Sequence, residues 1–239
     1  MTLPHLMLVP GLMCDAASWA PMLPALQGHA HYTVVDHGQA DDLIGMAQQI
    51  LDAAPDVFHL AGHSMGGRVA LEVMRLAPER VQALALLGTG YRPKEAGAAG
   101  EKEIQTRQAL LDLAQHNGVR AMAQAWVQNM VAPARLSDAA LLEAVVQMFE
   151  RQSADIFRHQ IRALLARPDA SSVLQQVRVP TLLMAGEWDS WASPQQHQAM
   201  AELIPAQPAV QVVPGSGHMM MMEKPEAVAS SFIRWLGGV

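Results

Sequence analysis

Apolar residues along this chain come in short continuous runs, separated by segments in which they recur every three or four positions. Leu3 to Val9 is the first run and predicts a strand, closed by Pro10-Gly11-Leu12-Met13. Ala16 to Leu26 carries Trp19, Met22, Leu23 and Leu26 at helical spacing, interrupted early by Pro21. Tyr32 to Val35 is a second strand, ended by Asp36-His37-Gly38, and Leu43 to Ala54 turns Leu43, Ala47, Ile50 and Leu51 inward as a helix. A strand at Val57 to Ala61 then leads through small residues into a helix at Arg68 to Ala77, with Val69, Val73, Met74 and Ala77 on one face before Pro78. Val81 to Leu87 is a further strand, finished by Gly88-Thr89-Gly90. Strands that alternate with helices and are apolar nearly throughout predict a parallel sheet covered on both faces.

The alternation stops after Tyr91. Gly97-Ala98-Ala99-Gly100 reads as a flexible connection, followed by four helical stripes with no strand between them: Ile104 to Ala114, Val119 to Met130, Ala139 to Glu150 and Ile156 to Ala166. After Arg167-Pro168-Asp169 the strand pattern resumes at Val179 to Ala185. A helix at Pro194 to Leu203 capped by Ser193, a strand at Val210 to Val213 and a helix at Pro225 to Leu236 follow. The expected fold class is α/β: a doubly wound, mostly parallel core of about six strands, residues 1–90 and 171–239, with an inserted helical cap, 91–170.

Composition narrows this picture. With 239 residues and 51% hydrophobic content the chain can bury one full core. No run approaches the ~18 apolar residues of a membrane span, and Met1-Thr2-Leu3-Pro4-His5 lacks the positive region of a secretion signal, so a cytoplasmic location is expected. The net charge of -6 argues against nucleic acid as a partner. The single cysteine, Cys14, excludes an internal disulfide and reads as a small buried side chain. Charge is unevenly spread: Tyr91 to Arg178 holds eleven Lys and Arg against nine Asp and Glu, while the remainder is acidic. A relatively basic cap over an acidic core suits an anionic substrate. Arg151, Arg158 and Arg162 share one helical face there, for which a solvated face is the plainer reading.

The candidate chemistry starts at Gly62-His63-Ser64-Met65-Gly66-Gly67. A serine at a strand-to-helix turn bounded by glycines sits in a strained backbone conformation, with its hydroxyl over a helix N-terminus. In a parallel sheet the loops that follow the strands emerge at one edge, which brings Leu12, Asp36, His37, Ser64, Asp189 and His218 together there. A serine hydroxyl needs a base to take its proton, and the base needs an acceptor to fix its tautomer. His218, in the small-residue loop Pro214-Gly215-Ser216-Gly217-His218, is the chosen base, ahead of His37 and of His63, which should point away from the turn. Asp189, after Gly186-Glu187-Trp188, is the chosen acid, with Glu187 and Asp36 as alternatives. The backbone N–H groups of Met65 and Leu12 are the expected oxyanion donors. Met13, Trp188, Trp191 and Met219 are expected to line an apolar pocket.

Pro10-Gly11-Leu12-Met13, Gly62 to Gly67, Gly186-Glu187-Trp188-Asp189, and Gly215-Ser216-Gly217-His218 with Glu223-Lys224-Pro225 together resemble, in order and spacing, the α/β-hydrolase fold family. The resemblance spans nearly the whole core and little of the cap. It implies a Ser-His-Asp mechanism without cofactor or metal. Two departures stand out: Pro10 occupies a position where many members have His, and the chain starts at what resembles their third strand. The expected activity is hydrolysis of a small or medium carboxylic ester through an acyl-enzyme, with a small-molecule acyl substrate. Carbon-carbon hydrolysis, thioester hydrolysis, lactone opening and perhydrolysis use the same triad. A ligand-binding protein with a silent triad is a minor alternative.

Overall fold

The computed structural model describes residues 3–238; Met1 and Thr2, on which the leader reading partly rests, and Val239 lie outside the described residues. Six parallel strands form one sheet in the order β2-β1-β3-β4-β5-β6. They are β1 (His5–Val9), β2 (His31–Val34), β3 (Phe58–His63), β4 (Val81–Leu87), β5 (Thr181–Gly186) and β6 (Val210–Val213). The central strands β3 and β4 are buried almost throughout, whereas β2 and β6 at the two edges are largely uncovered. This is why the central strands read as unbroken apolar runs.

Alternate residues of each strand feed two cores. Met7, Val9, Leu60, Leu84, Leu86 and Leu183 face one side, and Leu6, Leu8, Ala61, Ala83, Ala85 and Leu182 the other. The first core is covered by α2 (Leu43–Ala53), α3 (Met65–Leu76), α8 (Ser171–Leu174) and α9 (Pro194–Leu203), the second by α1 (Leu23–Leu26), α10 (Met220–Glu223) and α11 (Pro225–Gly237). Helices on both faces of a parallel sheet make this a doubly wound α/β fold. Between β4 and β5 the chain runs through α4 (Ala98–Asn117), α5 (Val119–Trp126), α6 (Ala139–Glu150) and α7 (Ala154–Leu165), joined by short 3-10 turns and with no strand among them.

Three local expectations are corrected. The helix expected over Ala16 to Leu26 is a 3-10 turn, Ala16–Ser18, followed by the four-residue α1, because Pro21 and Pro24 cannot supply the N–H groups a continuous helix needs. Gly97 to Gly100 is not a flexible connection. Gly97, at φ +67, caps α4, and Gly100 lies inside it against the Glu95 carbonyl, where a side chain would collide. The helix after Ser64 begins at Met65, three residues before Arg68, where the apolar stripe set its start, because Gly66 and Gly67 add nothing to that stripe.

The register places the strand ends side by side, with Val9 opposite Gly62, His63 opposite Leu87 and Gly186 opposite Val213. The loops leaving β1, β3, β4, β5 and β6 therefore converge at one edge.

Candidate active site

Ser64 joins β3 to α3 with φ +55, a left-handed conformation that costs a non-glycine residue about 1–3 kcal/mol. Its neighbours hold it there. The Ser64 N–H donates to the Leu87 carbonyl at 2.9 Å, and the Ser64 carbonyl accepts from the Thr89 hydroxyl at 2.6 Å. Gly62 and Gly66 are required by close approach: a Cβ on the first would strike the Gly66 carbonyl, and one on the second the Val9 carbonyl.

The structure brings Ser64, His218 and Asp189 into one hydrogen-bonded chain. His218 Nε2 lies 2.9 Å from Ser64 Oγ, and His218 Nδ1 lies 2.7 Å from Asp189 Oδ2. The other carboxylate oxygen of Asp189 accepts the N–H groups of Trp191 and Ala192, each at 2.9 Å. Burial pushes the Asp189 carboxyl up, but the His218 charge, the His218 hydrogen bond and those two N–H groups outweigh it and hold it below the ordinary carboxylate value. Asp189 is thus an anion, and Nδ1 of His218 is the protonated nitrogen. Nε2 is left to accept from the serine hydroxyl.

His218 is fixed from below and above. The His63 ring sits under it, centroids 4.8 Å apart, and His63 Nε2 donates to the His218 carbonyl at 2.9 Å. Burial, reinforced by the nearby His218, pushes His63 down to about 3, so it is neutral and has no hydrogen bond to Ser64. From the helical segment, the Met130 carbonyl accepts the N–H groups of His218 and Met219 at 2.8 and 3.2 Å. Glu223 clasps the same junction, its carboxylate taking the N–H groups of Ala132 at 2.8 Å and Gly217 at 2.9 Å.

A cavity of about 520 Å³ opens onto Ser64 and His218. Leu12 and Met65 both line it, and among the described residues the N–H groups of neither find an acceptor within the chain. Trp191 lines the cavity, edge-on to His218 with centroids 5.0 Å apart.

Three of the expected pocket residues are corrected. Met13, at φ +62, is turned into the core, and its N–H donates to Gln160 Oε1 of α7 at 2.8 Å. Met219 is fully buried in the same core because its backbone is drawn in to Met130. Trp188 points outward, 57% exposed, held by its N–H to the Ser216 carbonyl.

The rejected alternatives have other partners. Asp36 closes its own turn on the Gly38 N–H, Glu187 accepts the Gly215 N–H, and His37 lies 3.4 Å from the Pro10 carbonyl, held below its ordinary value by burial. Cys14 is buried beside the cavity, and burial with the adjacent Asp15 pushes its thiol up to about 12, which holds it in the weakly nucleophilic thiol form. Arg151, Arg158 and Arg162 are ion-paired at the surface, with Asp15, Asp155 and Asp41 respectively.

The cations that reach the cavity are different ones: Arg68, Lys102, Arg107 and Arg167. Arg68, one turn beyond Ser64 on α3, was within reach of the sequence pattern. The others converge from α4 and from beyond α7, and no local pattern marks them. Among the described residues no three His, Cys, Asp or Glu side chains are grouped as metal ligands, and no helix is long and apolar enough to cross a membrane.

A sequence model of the alpha/beta hydrolase family matches residues 6–231. A pimeloyl-[acyl-carrier protein] methyl ester esterase of Photobacterium profundum is 28% identical over 92% of this chain and 90% of its own. Among solved structures, a thermophilic esterase from Thermogutta terrifontis superposes with a TM-score of 0.85 at 23% identity, covering 99% of this chain and 90% of that one. An enol-lactonase from Burkholderia xenovorans also reaches 0.85, at 19% identity, over 99% of this chain and 92% of its own. With the family model spanning nearly the whole chain, the protein belongs to the alpha/beta hydrolase family of enzymes.

Proposed function

We propose that this enzyme is a serine hydrolase that cleaves a small or medium carboxylic ester through an acyl-enzyme, without a cofactor. The observation that carries this reading is the chain Ser64 Oγ, His218, Asp189, at 2.9 and 2.7 Å, facing a cavity on which two unengaged N–H groups open. The methyl ester esterase of Photobacterium profundum acts, by its name, on the same bond class.

Ser64 Oγ attacks the ester carbonyl carbon while His218 Nε2 takes the hydroxyl proton, and Asp189 stabilises the imidazolium through Nδ1–H. The carbonyl electron pair moves to oxygen, and the resulting oxyanion is received by the N–H groups of Leu12 and Met65. As the tetrahedral species collapses, Nε2 gives the proton to the departing alcohol. Water then repeats the sequence on the acyl-enzyme, releasing the carboxylic acid and restoring Ser64. Residues 91–170 serve as the cap in this reading: Lys102, Trp126, Met130 and Leu164 wall the cavity and limit water around the acyl group.

The test is hydrolysis of p-nitrophenyl esters of graded acyl length by the wild type and Ser64→Ala, with fluorophosphonate labelling alongside. The wild type should be active and labelled, and Ser64→Ala should lose labelling and about 10⁴-fold or more in kcat. Equal activity in both proteins would remove Ser64 as nucleophile.

A further inference from the structure

The wall of the cavity beside Ser64 is rich in cations. Arg68, Lys102, Arg107 and Arg167 line it, and Glu103 is the one carboxylate among its lining residues. That carboxylate is already engaged. Glu103 receives Arg107 at 2.9 Å, and Arg167 through two hydrogen bonds, each at 2.8 Å. Arg68 has no carboxylate partner among the described residues; its Nη1 donates to the Arg92 carbonyl at 2.9 Å, and its Nη2 lies over the bare face of Gly90.

A guanidinium only partly open to water is ordinarily paired, because desolvation of an unpaired charge is expensive. Here its charged neighbours on the wall are Lys102, Arg107 and Arg167, with the single carboxylate of Glu103 already shared by the last two. Burial, then Arg167 and Arg107, bring Arg68 down to about 9, with Glu103 only partly offsetting them, and it stays charged at neutral pH. An excess of cations on one wall of a concave site focuses positive potential there. Planar guanidinium groups receive carboxylates in a two-pronged fashion that an ammonium cannot match.

We propose that Arg68, flanked by Arg107 and Arg167, is a carboxylate-binding subsite, and that the substrate is an ester carrying a second, free carboxylate. The proposal rests on Ser64 being the nucleophile. Arg68 and Ser64 line the same cavity of about 520 Å³, so the free carboxylate and the scissile carbonyl belong to one compact substrate, as in a monoester of a short dicarboxylic acid. Glu103 has a positioning role: it holds Arg107 and Arg167 side by side against their mutual repulsion.

The experiment compares monomethyl succinate, glutarate and adipate with uncharged methyl esters of equal length, following acid release. It also measures how succinate, glutarate, adipate and inorganic phosphate protect Ser64 from fluorophosphonate labelling. At least one monoester should exceed its uncharged counterpart about tenfold or more in kcat/KM, and the matching dicarboxylate should slow labelling. Both preferences should shrink with added salt. Arg68→Gln should bring the charged-to-uncharged ratio to near one, with Arg68→Lys intermediate; because the ratio is taken within each protein, a folding loss alone leaves it unmoved. Hydrolysis of uncharged esters with no preference for monoesters overturns the subsite and leaves the hydrolase reading standing. So does labelling of Ser64 that dicarboxylates fail to slow, or that phosphate alone slows. A protein that hydrolyses neither kind of ester and is not labelled overturns both.

Discussion

Thr89 shows how the strained serine is kept in place. Its hydroxyl donates to the Ser64 carbonyl at 2.6 Å, its N–H lies 3.3 Å from Nε2 of the buried His197, and its side chain fills the space left by Gly67. Thr89→Val keeps the shape and removes the hydroxyl. It should cost about 1 kcal/mol of stability and lower kcat several-fold with little change in KM, read by denaturant titration and steady-state kinetics. Asp189→Asn is a sharper change. The amide has one acceptor oxygen and cannot take Nδ1–H while still accepting the N–H groups of Trp191 and Ala192, so His218 is driven to the wrong tautomer, and kcat should fall by about 10⁴. Because the Asp189 carboxyl is held below its ordinary value, its protonation should not set the acid limb of the wild-type pH-rate profile.

At the scale of elements, the helical segment holds the loops of the proposed active site as well as walling the cavity. Gln160 of α7, itself buried, accepts the Met13 N–H at 2.8 Å and so fixes the left-handed turn that presents the Leu12 N–H. Gln160→Met removes the acceptor at similar volume. The expected result, if the Leu12 N–H receives the oxyanion as proposed, is about a tenfold drop in kcat with KM nearly unchanged, since such a donor acts on the transition state; a change in KM alone would make Gln160 a packing residue. This coupling was not legible in the sequence, because it joins residues 147 positions apart that share no motif. Elements with strong local signals were legible to the residue. Val81–Leu87 and Val210–Val213 are strands and Ala139–Glu150 a helix as the patterns predict, and Ser193 with Gln196 forms the capping box that opens Pro194–Leu203. The juxtaposition of Ser64, Asp189 and His218 was equally readable, since parallel strands send their loops to one edge. Side-chain direction inside those loops was not: Met13, Met219 and Trp188 are turned away by single backbone hydrogen bonds that no spacing encodes.

The whole molecule carries a further consequence of what it buries. His37, His59, His63 and His197 are all held below the ordinary histidine value, in each case chiefly by loss of solvent, and His63 is pushed down to about 3. A group whose folded pKa is depressed binds its proton more readily in the unfolded chain. Its contribution to stability is therefore full above the unfolded pKa, near 6.5, and is lost as the pH falls toward the folded value. For His63 the loss amounts to about 1.4 kcal/mol per pH unit over that span, and the other three add to it with the same sign. Glu223 runs the other way. Burial raises its carboxyl, so it gives back a part of the loss as the pH falls through its own elevated value toward 4.5. Four depressed histidines against one raised carboxylate leave the balance with the histidines. The fold should weaken steeply below pH 6, well before most carboxylates protonate, and denaturant titrations at successive pH values should show proton uptake on unfolding. His63→Gln removes one of the four groups while keeping a donor for the His218 carbonyl. Its stability should fall less steeply than that of the wild type, by up to about 1.4 kcal/mol per pH unit below 6.5, and parallel curves for the two proteins would exclude His63 as a source of the acid sensitivity.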